Sequence, residues 1–243
     1  AEADQTIGLG ATSKDMHIDS SEVQRMTSTG MTVGSSVSGT MHVDGITKDN
    51  SNTVTTTVTL VAKRDNAQIL FETAASTFYE LVAQADNGVV DEVDITTTSG
   101  VMYLDGDMDN DTSDDSVDTI GFTDGRTLLA KLFLTLESTT GSITTVGALT
   151  LKADDSIVIL DSLTSTGTSG TKPIAINADN DSTGTDGTLT VQTAETITSN
   201  SNAVTITAWD IDLDGSLTTG TTTITVYGAE ADQTIGLGAS SKD

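Results

Sequence analysis

Apolar residues recur at every second position in short segments spread along the whole chain. They run through residues 6–10 (TIGLG), 31–34 (MTVG), 54–62 (VTTTVTLVA), 93–97 (VDITT) and 149–153 (LTLKA). The same pattern returns in residues 174–178 (IAINA), 188–192 (TLTVQ), 203–208 (AVTITA) and 223–227 (TITVY). A period of two belongs to a strand with one face buried. Thr and Asp take the other face, and clusters of Gly, Asn, Asp or Ser separate the segments as turns require. Many short strands at regular spacing fit a sandwich, a barrel or a β-solenoid.

Helical signals are few. Asp19-Ser20-Ser21-Glu22 has the form of a capping box, with Asp19 as N-cap and Glu22 at the third helical position. This predicts one or two turns of helix at a corner, with Val23 and Met26 facing the core. Residues 74–85 (AASTFYELVAQA) place Phe78, Leu81, Val82 and Ala85 at helical spacing, and read as either a helix or an irregular coil.

The solenoid is favoured by the way the chain repeats itself. Residues 1–15 read AEADQTIGLGATSKD and residues 229–243 read AEADQTIGLGASSKD, with Thr12 replaced by Ser240 as the one difference. Residues 1–228 therefore form one complete unit, and residues 229–243 form the start of the next. Stacked coils pass through such a boundary without a new core, whereas tandem sandwiches need a linker. Coils of roughly 20–25 residues would give about ten per unit, and at about 4.8 Å each a rod on the order of 50 Å. A smaller echo, Met16-His17-Ile18-Asp19 and Met41-His42-Val43-Asp44, predicts equivalent positions on neighbouring coils. Met and Ile or Val would then point inward, and His and Asp outward.

Composition narrows the functions. Aromatic residues make up 3% of the 243 positions and hydrophobic residues 35%, which suits thin regular layers of Val, Ile, Leu and Ala better than a thick core. With no cysteine there is neither a disulfide framework nor thiol chemistry. A single proline argues against a disordered stalk. The formal charge of −26, from 36 acidic and 10 basic residues, disfavours nucleic acid and anionic membrane surfaces as partners. No apolar run approaches the length of a membrane-spanning helix, so no membrane insertion is expected.

Residues 6–34 carry a family resemblance. Ile7-Gly8-Leu9-Gly10, Met16–Ile18, Ser21-Glu22-Val23 and Met31-Thr32-Val33-Gly34 resemble the strand, turn and acidic-corner pattern of filamentous haemagglutinin-like surface proteins. Residues 147–151, 179–189 and 211–215 are similar in style to that class. The resemblance implies a right-handed parallel β-helix in an extracellular fibre or adhesin, and it brings no catalytic residues with it. The 228-residue unit is much longer than the short repeats usual in that class.

Candidate chemistry is sparse. The two histidines, His17 and His42, each lie beside an Asp on the presumed outer face, where stacked exposed side chains are the plain reading. Asp105, Asp107, Asp109 and Asp111 alternate as at the start of a calcium loop, and are the candidate ligands for a calcium ion. The glycine and closing glutamate of an EF-hand are missing from their places. Asp179, Asp181 and Asp186 form a weaker acidic cluster with Asn180, while Asp210, Asp212 and Asp214 alternate with Ile211 and Leu213, read as buried, as the wet face of a strand. Asn110 and Asn180 head N-glycosylation sequons, so glycans are possible partners. No cofactor is required. An enzyme acting on acidic polysaccharide would need basic groups clustered beside carboxylates, and Arg25, Arg64 and Arg126 are far apart in sequence. The expectation is a non-enzymatic structural unit of an extracellular filament or surface fibre, joined end to end to further copies, with the stalk of a cell-surface adhesin as the neighbouring reading.

Overall fold

The structure is a computed structural model and describes residues 5–111, 117–168 and 170–236. The elements follow one another in a repeating order of three. The first turn holds β1 (Ile7–Gly10), β2 (Met16–Ile18), α1 (Ser20–Arg25) and β3 (Met31–Ser35). The second holds β4 (Met41–Asp44), α2 (Lys48–Ser51) and β5 (Thr57–Ala62). The third and fourth are β6 (Ile69–Phe71), β7 (Ser76–Phe78), β8 (Glu80–Ala85), then β9 (Val89–Asp91), β10 (Ile95–Thr97), β11 (Met102–Asp105). Next come β12 (Thr119–Phe122), β13 (Arg126–Ala130), β14 (Phe133–Glu137), followed by β15 (Ser142–Thr145), β16 (Leu149–Ala153), β17 (Ser156–Ile159). The last full turns are β18 (Leu163–Ser165), β19 (Ile174–Asn177), β20 (Thr188–Val191) and β21 (Thr196–Thr198), β22 (Val204–Ala208), β23 (Asp210–Leu213). A further turn begins with β24 (Ser216–Thr218) and β25 (Ile224–Gly228).

Each place in this order builds one face of a three-sided rod. The first face is a ten-stranded sheet ordered β2-β1-β4-β6-β9-β12-β15-β18-β21-β24. The second begins with α1 against α2 and α2 against β7, and continues as a seven-stranded sheet ending in β25. The third is an eight-stranded sheet from β3 to β23. Strands pair in parallel with the turn before and the turn after. The protein is therefore an all-β parallel β-helix.

The alternating pattern explains why the turns stack. On the first face Ile7, Met41, Ile69, Val89, Ile120, Ile143, Leu163, Ile197 and Leu217 succeed one another in register. Their side chains point into the single interior column, and all but Leu217 are buried. Outward positions such as Thr150 and Thr205 are half-buried by their neighbours in the ladder. Each fully buried Ile, Leu or Val contributes about 1.5–3 kcal/mol, and the turn above and the turn below supply much of the cover.

Several expectations change at this level. Turns run from 20 residues, between Ile69 and Val89, to 34, between Leu163 and Ile197. The extra length lies at corners, notably between β19 and β20. Nine turns therefore begin between β1 and β24, where about ten were expected. Residues 74–85 are neither helix nor irregular coil but the strands β7 and β8 joined through Tyr79. The capping box at Asp19 is present, and Val23 is buried, but Met26 ends the helix and is 40% exposed. Leu213 is also exposed rather than buried, because β23 is the final strand of its sheet.

The Met-His pair of segments is corrected too. β2 and β4 do occupy equivalent registers, but on opposite sides of β1, since Ile7 faces Met16 on one edge and Met41 on the other. Asp44 is buried rather than outward, and accepts a hydrogen bond from the Ala74 N–H at 3.1 Å.

Candidate functional site at the two ends of the rod

Among the described residues the three sheets end at the C-terminal end with β23, β24 and β25, each of which has a neighbouring strand on one edge only. A row of free backbone N–H and C=O groups is a template for another strand. Inside this triangle lies an apolar recess of about 220 Å³, lined by residues such as Ile206, Ile211, Leu213, Leu217, Ile224 and Val226. Beyond β25 the chain turns at residues 229–232, and the Gln233 side chain accepts from the N–H of Ala229 at 2.7 Å and of Glu230 at 3.2 Å. Its amide nitrogen donates to the Trp209 carbonyl at 2.7 Å. Residues 229–236 add no strand, Ile235 is exposed, and residues 237–243 lie outside the described residues.

The N-terminal end is partly closed. β2 lies on the outer edge of β1 and is reached through a five-residue loop, residues 11–15. Asp15 Oδ2 accepts from the Thr6 N–H at 3.1 Å and from the Thr6 hydroxyl at 2.8 Å, and these donors hold its carboxyl below the usual range. His17 Nε2 donates to the Gly10 carbonyl at 2.9 Å. Gly8 makes room for the loop, since a Cβ there would lie 2.3 Å from the Thr12 carbonyl oxygen. α1 stands at the start of the second face, with Asp19 Oδ1 accepting from Ser21 and Glu22 N–H at 2.7 and 2.9 Å. Glu22 returns the bond to the Asp19 N–H at 2.9 Å. A recess of about 410 Å³ opens here, lined in part by Ile7, Met16, Ile18, Met26, Met31 and Val33.

Along the flanks the four candidate calcium ligands part company. Asp105 and Asp107 are buried, with Asp105 accepting from the Asp107 N–H at 3.1 Å and from Gln84 Nε2 at 3.2 Å. Burial raises the Asp105 carboxyl above its ordinary value. Asp107 accepts from the Thr140 N–H. Asp109 and Asp111 are exposed, and Asp109 accepts from the Asp111 N–H at 3.1 Å. Among the described residues no group of three or more His, Cys, Asp or Glu side chains is placed to hold a metal ion. Asn110 is exposed at a left-handed turn, and Thr112 of its sequon lies outside the described residues. Asn180 is half-buried, and its side-chain nitrogen donates to Asp154 at 3.0 Å. His42 pairs with Glu72 at 3.0 Å, so the two histidines have separate partners. Lys131 bridges Asp154 and Asp181, and Lys172 pairs with Asp124.

A carboxyl group also lies in the interior column of the first face. Asp91 takes an inward place on the first face between Phe71 and Phe122, is fully buried, and neither carboxyl oxygen has a hydrogen-bond partner. Burial raises its pKa well above the ordinary carboxylate value. Alternation alone predicts its inward position, because Val89 two residues earlier is also inward.

No family model, curated protein or solved structure matches this chain.

Proposed function

We propose that the chain is a structural repeat unit of an extracellular filament or surface fibre, in which turns stack into one continuous rod across successive copies. The observation that carries this reading is the pairing of an unfinished end with a repeated sequence. Among the described residues all three sheets stop at the C-terminal end around an apolar recess, and the chain there begins its own sequence again. Parallel ladders add turns without limit as long as each new turn presents inward apolar residues in register. The acidic surface keeps such rods soluble and resists lateral clumping. The extracellular setting follows from the resemblance in residues 6–34, and the working chemistry is backbone pairing along the axis.

Tandem chains of one, two and three copies test this reading. Denaturant midpoints should rise with copy number, because each join buries two ends that a single copy exposes. Electron micrographs should show rods lengthening by roughly 40–45 Å per copy, from nine turns at about 4.8 Å. Equal midpoints and beads on a flexible string would overturn it.

A further inference from the structure

The first face has one strand more at its N-terminal edge than the order of three requires. β2 pairs with β1 through Ile7–Met16, Gly8–His17 and Leu9–Ile18, on the edge opposite β4. That edge is where a preceding turn would have to dock, and a strand has only two edges. At the other end of the same sheet, β24 is the last strand among the described residues.

The order of the faces says what falls due on β24. After β25 on the second face, the chain must cross the third face and then return to the first. The residues that follow are AEADQTIGLG, identical to residues 1–10, which end in β1. The sequence next in line for the β24 edge is thus that of β1, and on β1 itself β2 already sits there.

We propose that β2 is a displaceable end strand: it closes the β1 edge at a free N-terminus, and gives way to β24 of a preceding copy of this chain when two copies join. The proposal rests on the filament reading and names the partner surfaces, the β24 edge of one copy and the β1 edge of the next.

β2 is weakly held for a strand. It has three residues, none buried, and Met16 is 39% exposed where its counterpart Met41, across β1, is fully buried. The polar bonds that hold it and its leading loop, Asp15 to Thr6 and His17 to the Gly10 carbonyl, lie near the surface and are replaceable by backbone bonds from β24. β1 keeps β4 on its other edge throughout, so it is a ready-made docking strand. Charge opposes the join only weakly at its N-terminal side: residues 1–64 hold seven acidic and five basic residues, including Lys14 and Arg25, whereas residues 173–241 hold nine acidic residues and no Lys or Arg.

The test is a disulfide lock in the second copy of a two-copy tandem chain. Ile7→Cys and Met16→Cys are register partners on adjacent strands, within reach of a disulfide, and the chain has no other cysteine. Reduced, the two-copy chain should unfold in one coupled transition with a midpoint above that of a single copy. Oxidised, β2 cannot leave, and the midpoint should fall to the single-copy value; reduction should restore it. A locked chain as coupled as the reduced one overturns the proposal and leaves the filament reading intact. A wild-type two-copy chain that unfolds at the single-copy midpoint overturns both. Gly8→Ala in the second copy is the opposing variant, because its Cβ expels the loop that carries β2. Coupling at least as strong as wild type is expected, and its loss would overturn the proposal.

Discussion

The middle of the rod and its last turn are made of the same parts and differ in what lies next to them. Leu151 in β16 has Leu128 on one side and Ile176 on the other, and is fully buried. Val226 in β25 has Ile206 on one side only, and is 43% exposed. Both residues belong to alternating strands of the same sheet. The difference teaches that a turn does not bury its own apolar face; its neighbours do. Stability is thus a property of adjacency, which makes the ends of the rod its weak points.

The most severe way to probe this contrast is to place the same charge at both positions. Leu151→Asp puts a carboxylate where no partner waits, and should cost about 3–5 kcal/mol in a denaturant titration. Val226→Asp faces water at the bare end and should cost less than about 1 kcal/mol in a single copy. In a two-copy chain the first copy's Val226 becomes interior, and the same substitution there should approach the Leu151 penalty. Equal costs at both sites in a single copy would mean that the last turn is covered.

Asp91 offers a smaller effect of opposite sign. It already is a buried carboxyl between Phe71 and Phe122, with raised pKa. A raised folded-state value means that the folded protein holds this proton more tightly than the unfolded chain. Its favourable contribution is therefore complete below the unfolded value of about 3.9, and is lost as pH rises through the higher folded value. Asp91→Val should stabilise the neutral protein by about 2 kcal/mol, with little gain at pH 3. Stability against pH for the two proteins, subtracted, isolates this group from the other acids. A difference that does not grow with pH would mean that Asp91 finds a partner.

Next in size comes the capping box. Asp19→Ala removes the acceptor for two N–H groups of α1, a helix too short to persist without it. The loss should be confined to the first turn. Hydrogen exchange in α1 should speed up while β16 amides stay as slow as before; faster exchange at both would show that the N-terminal turn is coupled to the middle of the rod.

How these features read in the sequence depends on the distance over which each is determined. A capping box is decided within four residues, and Asp19 to Glu22 is legible at once. Alternation is decided within a strand, so most strands could be named from apolar spacing. Corners are harder. Phe78 and Leu81 both point inward from β7 and β8, separated by the corner at Tyr79, and that phase shift produces a spacing of three that imitates a helix. Position in the stack is harder still: nothing local to Ile211 or Leu213 says that β23 is the last described strand of its sheet. The buried pair Asp105 and Asp107 and the exposed pair Asp109 and Asp111 share one alternating pattern, and the three-dimensional corner separates them. The placement of β2 shows in part through the shared Met-His pattern, but only the strand order reveals which edge of β1 it takes.

The gentlest test addresses the outer face. Thr150 lies between Thr127 and Ala175 on the outside of the second sheet, half-buried by those neighbours alone. Thr150→Ser keeps the hydroxyl and removes one methyl, so only β-propensity and a little side-chain packing change. The expected loss is a few tenths of a kcal/mol, close to the scatter of surface substitutions. Thr225→Ser on the last strand of that sheet should match it, because the outer face meets water at the middle and at the end alike. That equality is the counterpart of the inequality expected for inward residues. A loss above about 1 kcal/mol at Thr150 alone, appearing only at concentrations where rods associate side by side, would locate a lateral contact on this face.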